Sequence, residues 1–447
     1  MDGLDAAKVP LLPLPILLVM TGVFLVMLVL LLRRAGSLAG CFLVTAVWLR
    51  VMSGAYHFVT FKPLIGSFSI NALLSVATVG AGLLIISRRS FSQRWIMPIY
   101  ALLAVMIISS VINGTASGAI DMFFKWGYVI VLVAAMRDAM EKVGPNRILT
   151  LVAYCYAPIF VFQFLSIPLG LGKDTEGANA LSYIGGYAHE AAFSIMIVTF
   201  VLAVYLNNGL NFALKAGLIF MGIVGILLAN YRTAIVSVLP LLVGTFMYEG
   251  VARFERKSRG FILVMAMPIL LVLVVFAGGS LGERFADLGT LIFDTGRFIK
   301  PPSDYLMDDQ KVLSGRLFIW AHYIQGYLNG GDLQLLFGYG PNGWVGTFIK
   351  YAHNTMVSYL YELGAVGLFA LLTVWGTFLA GTFSVRDPFM RHQLLLAQIG
   401  FLLFNLATMP HWNIEGNILF SVLQGTMLYY LGRARVRVRS PVLRPGE

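Results

Sequence analysis

Charged residues are scarce in this 447-residue chain: Asp, Glu, Lys and Arg together make up 12% of it, against about 25% in soluble domains. Because 58% of the residues are hydrophobic, there is too little polar coat to cover the apolar surface in water. A soluble globular protein is thereby excluded. Cysteine is scarce too. Cys41 and Cys155 both fall inside apolar stretches, so they support neither a disulfide framework nor a metal cluster and read as buried small hydrophobes. No internal repeat or low-complexity segment stands out. The net charge of +11 could point to nucleic acid, but the basic residues stand at the edges of apolar runs, where they set membrane topology. No nucleic-acid partner is expected; the partner is the lipid bilayer.

What the chain has instead is a succession of apolar runs. The first, Leu11 to Leu32, has a length that spans roughly 33 Å as a helix. It lacks a small-residue cleavage site before the next apolar run, so it reads as a retained helix and not a signal peptide. Thirteen candidate spans follow one another near 11–32, 37–58, 64–86, 95–112, 119–136, 147–168, 190–206, 211–229, 233–250, 260–278, 354–380, 392–409 and 414–431. The second and fifth contain Arg50 and Lys125. The expected fold is all-α, a polytopic transmembrane helical bundle of about 12–14 spans with one large extracytoplasmic loop. It divides into an N-terminal bundle (1–278), the loop (279–353), C-terminal transmembrane helices (354–431) and a basic tail (432–447).

Counting Lys and Arg on alternate sides orients the bundle. One set of loops, with the tail, holds twenty, from Arg33 and Arg34 to the five arginines after residue 432. The opposite short loops and the N-terminus hold only Lys8, Lys62, Lys173 and Arg232. The positive-inside rule therefore puts the C-terminal tail in the cytoplasm and the N-terminus outside. A count of twelve or fourteen spans would move the N-terminus and leave the C-terminal half unchanged.

One connection is exceptional. Residues 279–353 form a polar outer segment of about 75 residues, far longer than an ordinary connecting loop, and a loop of that length is a functional element. Within it, Ser314 to Leu328 reads as an amphipathic helix, with Leu317, Ile319, Trp320, Tyr323, Ile324 and Tyr327 as its apolar residues.

At the loop's far end, Tyr351-Ala-His353-Asn354 precedes the long eleventh span, which carries Glu362, Gly364 and Gly367. This pattern resembles the signature of the O-antigen ligase and Wzy-type polysaccharide polymerase superfamily, multi-span enzymes whose large periplasmic loop ends in His-Asn before a Glu-x-Gly-x-x-Gly helix. The resemblance continues upstream in Leu336-Phe-Gly-Tyr-Gly-Pro-Asn-Gly343, in Ser314-Gly-Arg316 with Trp320 four residues on, and in Asn230-Tyr-Arg232-Thr233 at a short outer turn. It covers residues 230–367 in order, spacing and side of the membrane; the first 180 residues match only in general character. It implies a GT-C-like glycosyltransferase of the bacterial inner membrane, working at the periplasmic face on an undecaprenyl-diphosphate-linked oligosaccharide and an acceptor glycan. Other polysaccharide-assembly proteins are implied as partners.

Each residue has a structural reading beside the functional one. Arg232, in an outer turn, either snorkels to the interface or grips a lipid-linked pyrophosphate, whose oxygens suit the guanidinium fork. Arg316 is either a solvated loop charge or the second such grip. A pyrophosphate leaving group carries its own activation, so charge stabilisation and a base suffice, with no cofactor and no necessary metal. His353 is the candidate base, because imidazole titrates near neutral pH; Asn354 beside it binds substrate, caps the helix, or does both. At the seventh span, Gly185-Gly-Tyr187-Ala-His189-Glu190 opens a helix. His189 and Glu190 either complement the helix dipole or bind or deprotonate the acceptor sugar. The segment His-Glu-Ala-Ala-Phe-Ser194 is similar to a His-Glu-Pro-Ser-like segment of several polymerases, without the proline. Trp320, Lys125 and Arg50 complete the candidate substrate-binding set, the two cations either lining the cavity or pairing with a carboxylate.

Two patterns are set aside. Gly338 to Gly343 matches G-x-G-x-x-G literally, but no strand precedes it and Pro341 makes it a turn. His411 with Glu415 lacks a third metal ligand. Two enzymes of one class then compete: a polymerase, whose acceptor is another lipid-linked repeat unit, and a ligase, whose acceptor is lipid A core. The His189-Glu190 segment favours the polymerase. A flippase for the same lipid would place polar residues along the whole path and be built from repeats, whereas here they gather on one side.

Overall fold

The computed structural model describes residues 10–65, 68–174, 181–251, 300–307 and 315–439, together with Glu255, Ser258, Asp309 and Gln310. The expected tenth span, the first part of the long loop, Ser314 and the end of the tail lie outside the described residues.

The described residues are overwhelmingly helical. The N-terminal part runs α1 (Leu14–Arg34), α2 (Leu38–Ala55), the short α3 (His57–Thr60), α4 (Ile70–Ile85), the short α5 (Arg88–Phe91), α6 (Met97–Asn113) and α7 (Ala116–Val143). It continues with α8 (Pro145–Cys155), α9 (Ala157–Ser166), α10 (Glu190–Leu206), α11 (Phe212–Leu228) and α12 (Arg232–Gly244), the last extended by a π-turn at Thr245–Gly250. Beyond residue 300 come α13 (Arg316–Leu328), α14 (Asp332–Phe337), α15 (Thr355–Phe383), α16 (Pro388–Ala407) and α17 (Ile414–Arg439). Two small antiparallel ribbons, Pro63–Ile65 with Phe68–Ser69 and Lys173–Asp174 with Leu181–Ser182, lie in connections.

Among the described residues, six helices are long and apolar enough to cross a membrane, and four shorter ones are apolar. The protein is thus an all-α polytopic helical membrane protein. Helices stand at twelve of the thirteen expected positions; the remaining position, 260–278, lies outside the described residues. Helix starts follow local chemistry: Ser37, Ser69, Asn211 and Asp387 each accept a backbone N–H of the first turn of α2, α4, α11 and α16, which satisfies donors the helix leaves unpaired.

The helices α16 and α17 are less apolar for a physical reason. α17 packs along α7 and α10, and its Asn417, Ser421, Gln424 and Thr426 are all buried. Gln424 and Gln398 of α16 exchange two hydrogen bonds of 2.8 and 3.0 Å, and Ser421 Oγ donates to the Asn417 carbonyl at 2.7 Å. A helix enclosed by others can carry polar side chains if each is satisfied internally. By contrast α1, the most apolar, has only 17% of its span buried, as befits a lipid-facing flank.

Candidate functional site

His353 stands immediately before α15. Its φ of +53° is left-handed, a conformation uncommon for a side chain other than glycine or asparagine and one that concentrates at functional sites. Its ring lies 3.9 Å from the Tyr351 ring, centroid to centroid. Burial, with Arg316, Lys350 and His189 alongside, pushes the imidazole from 6.5 down to about 3. It is therefore neutral at ordinary pH, with a lone pair on the ring free as a base requires. Asn354 next to it is the N-cap of α15: its Oδ1 accepts from Met356 N and Val357 N at 2.9 and 3.1 Å, and its Nδ2 donates to the Leu406 carbonyl at 3.0 Å. The capping role is thus present, and it anchors the base to the end of α16.

The loop segment before His353 is tied to the amphipathic helix. Trp320 on α13 donates its indole N–H to the Ala352 carbonyl at 2.7 Å, and Tyr323 donates to the Lys350 carbonyl at 3.2 Å. Arg316 is the first residue of α13, so the bonds that seat α13 on the His353 segment also place Arg316 within electrostatic reach of the imidazole.

The short turn between α11 and α12 arrives from a different part of the chain. Asn230, at φ +50°, ends α11 in the left-handed conformation asparagine tolerates. It delivers Tyr231 and then Arg232, the first residue of α12. Tyr231 Oη and Thr408 Oγ1 share a 2.7 Å hydrogen bond. Thr355 Oγ1 bonds Asn405 Oδ1 at 2.7 Å and the Thr408 carbonyl at 3.4 Å. Thr408, through its hydroxyl and its carbonyl, therefore links Tyr231 beside Arg232 to Thr355, two residues after His353. Burial raises the Tyr231 phenol, Arg316 acts to lower it and Glu190 to raise it, which places those two charges at the same turn. His189 caps α10, accepting from Ala191 N at 3.1 Å, and Glu190 pairs with Lys173 at 3.0 Å.

The Glu-x-Gly and glycine-rich motifs form one lock. Gly364, at φ +69°, breaks the helical geometry inside α15. The kink frees carbonyls, and the turn fills them: Tyr339 N donates to Tyr361 O at 3.0 Å and Gly340 N to Glu362 O at 2.8 Å. The buried Glu362 carboxylate accepts from Asn342 N at 2.7 Å and from Ser358 Oγ at 2.5 Å. A Cβ on Gly338 would overlap the Glu362 backbone, and one on Gly364 would overlap the Leu336 carbonyl. The literal G-x-G-x-x-G is thus a turn clamped to a kinked helix.

Arg316 and His189 act electrostatically on His353, and Arg316 and Glu190 on Tyr231 beside Arg232, while the other candidates are engaged by partners of their own. Trp320 positions Ala352. Arg50 meets Glu415 in a two-pronged ion pair, 2.9 and 3.2 Å, joining α2 to α17, which is the internal pairing open to it from sequence. Lys125 pairs with Asp121 at 2.6 Å and lies 5.7 Å over the Trp412 ring. His411 is enclosed by Trp126, Trp375, Phe401 and Phe420, and burial pushes it down to about 4. Among the described residues, His, Cys, Asp and Glu form no group that could hold a metal ion. Sequence reading missed Tyr231, Thr408, Lys350, Tyr351 and Trp412. Lys350 and Tyr351 stand beside the recognised histidine, so proximity could have found them; Thr408 and Trp412 carry no local signal.

Residues 216–372 match the family model described as O-Antigen ligase. Over that stretch, which contains Arg232, Arg316, His353 and Glu362, the chain carries a domain of the O-antigen ligase and Wzy superfamily, as the sequence motifs led us to expect. No curated protein matches the chain.

Proposed function

We propose that the protein is a metal-independent glycosyltransferase of the bacterial inner membrane that moves a glycan from undecaprenyl diphosphate to a sugar hydroxyl at the periplasmic face. The observation that carries this reading is that Trp320 and Tyr323 tie α13, with Arg316 at its start, to the segment ending in His353, while Tyr231 and Thr408 tie the turn bearing Arg232 to the start of α15. Arg232 and Arg316 hold the diphosphate. His353 takes the proton of the acceptor hydroxyl as its oxygen bonds to the anomeric carbon. The bond from that carbon to the phosphate oxygen breaks, and undecaprenyl diphosphate leaves with the electron pair, its charge met by the arginines. Glu190, held by Lys173, and His189 bind the acceptor.

The pKa direction fits this sequence of events. An imidazole held near 3 is a weak base. Burial is the larger cause of that depression and the neighbouring cations the smaller; a bound diphosphate offsets the cations, so His353 becomes a stronger base once the donor is in place.

The acceptor on the polymerase reading is another lipid-linked repeat unit. The family description fits a second reading equally well, a ligase whose acceptor would be lipid A core. Purified protein incubated with lipid-linked repeat units tests both. A ladder lost in His353→Ala and Arg232→Ala supports the polymerase, and a single transfer to lipid A core supports the ligase. Movement of substrate across liposomes without a new glycosidic bond overturns both.

A further inference from the structure

Three aromatic side chains from two segments, the α14–α15 and α16–α17 connections, meet beside His353. Tyr351 stacks on Trp412 with centroids 5.7 Å apart and planes at 26°. Trp344 leans on both, 5.3 Å from Trp412 and 6.3 Å from Tyr351. All three are partly buried, with some ring surface open. The cluster reaches the imidazole through Tyr351. At its other edge Lys125 Nζ lies over Trp412 while holding Asp121.

Packing alone does not account for this cluster. The indole N–H groups of Trp126, Trp320 and Trp375 each donate to a protein acceptor. Those of Trp344 and Trp412, like that of Trp48 on α2, have no hydrogen-bond partner among the described residues, and only here do two of them meet, 5.3 Å apart ring to ring. An unmet buried donor is unfavourable, and a cluster that keeps two of them lacks acceptors that a ligand can bring. Partly open aromatic faces suit the C–H face of a pyranose, and a neighbouring donor–acceptor pair such as Lys125–Asp121 suits vicinal hydroxyls.

We propose that Trp344, Tyr351 and Trp412, with Lys125 and Asp121 at their edge, seat the acceptor's sugar ring so that its attacking hydroxyl meets His353. The arginines are thereby left to the donor's diphosphate. This inference rests on the glycosyltransferase reading and adds, to His189 and Glu190, the residues that seat the acceptor's sugar ring.

Calorimetric titration of the full chain in lipid nanodiscs separates the two ligands. The probes are the lipid-free oligosaccharide hydrolysed from the host cell's lipid-linked glycan, and undecaprenyl diphosphate itself. Trp412→Ala is expected to weaken the oligosaccharide at least tenfold, and Trp412→Phe, which keeps a ring and loses only the indole N–H, by a smaller factor. Both variants should bind undecaprenyl diphosphate like the parent and melt at a similar temperature. Asp121→Asn should weaken the oligosaccharide without altering the lipid. In the transfer assay, Trp412→Ala should raise the KM for acceptor and leave that for donor. Unchanged oligosaccharide binding in Trp412→Ala, with transfer intact, overturns this inference and spares the glycosyltransferase reading. Equal weakening of both ligands also overturns it, because the effect is then structural. Absence of transfer in the parent chain overturns the glycosyltransferase reading itself.

Discussion

The indole N–H of Trp320 donates to the carbonyl of Ala352 at 2.7 Å, so a residue on the amphipathic loop helix fixes the backbone directly before the candidate base. Trp320→Phe keeps the ring and removes that bond, at a cost of about 0.5–1.5 kcal/mol. We expect kcat to fall several-fold with little change in the KM for donor, because the base is displaced and the arginines are not. Donor KM rising in proportion to the fall in kcat would show instead that α13 as a whole has moved.

His353 itself should be indispensable, and its backbone constrains which replacement is informative. Asparagine tolerates the left-handed conformation better than alanine does. His353→Asn should keep the melting temperature within a few degrees while lowering transfer by about 10²–10⁴-fold, the usual contribution of a general base. Transfer at half the parent rate or better would remove His353 from the mechanism.

The glycine lock predicts stability effects. At Gly364 both the positive φ and the overlap with the Leu336 carbonyl oppose a side chain, so Gly364→Ala should destabilise by about 3 kcal/mol or more, at the large end of single substitutions. Glu362→Gln keeps the shape and loses the charged acceptor for Asn342 N, and should be milder. Thermal unfolding in detergent ranks the two; Glu362→Gln proving the more damaging would mean that charge, not backbone fit, holds the turn.

Arg50 and Glu415 should behave as a coupled pair. Their side chains are 14% and 4% exposed, so Glu415→Ala strands a guanidinium and should cost about 3–5 kcal/mol. Replacing both residues with apolar ones of similar volume should restore much of the loss. Additive effects in the double-mutant cycle would refute the coupling.

The pH dependence follows from His353, depressed from 6.5 to about 3. Between those values the unfolded chain binds a proton that the folded chain does not, so stability should fall as pH drops through that window. His353→Asn should flatten the decline. Lys350→Gln removes a cation and should raise the imidazole pKa, as should inorganic pyrophosphate; histidine NMR titration reads both. No upward shift with either would detach His353 from the cationic cluster.

The sequence by itself determined the membrane class, the helical architecture at twelve positions and the order of Arg232, Arg316 and His353. Those properties are local: a run of apolar residues needs only its own length to span a bilayer, and the motifs lie in contiguous stretches. Only the tertiary structure decided what each residue touches. Arg50 and Lys125 looked alike as intramembrane cations, yet one joins α2 to α17 through Glu415 and the other borders an aromatic cluster. Asn354 and Trp320 looked like substrate ligands, and their polar atoms hold the backbone around His353. Thr408 and Trp412 carried no signal, because their roles depend on the α16–α17 connection returning to the start of α15. Such contacts arise between segments far apart in the chain, and no local pattern encodes which partner a side chain will meet.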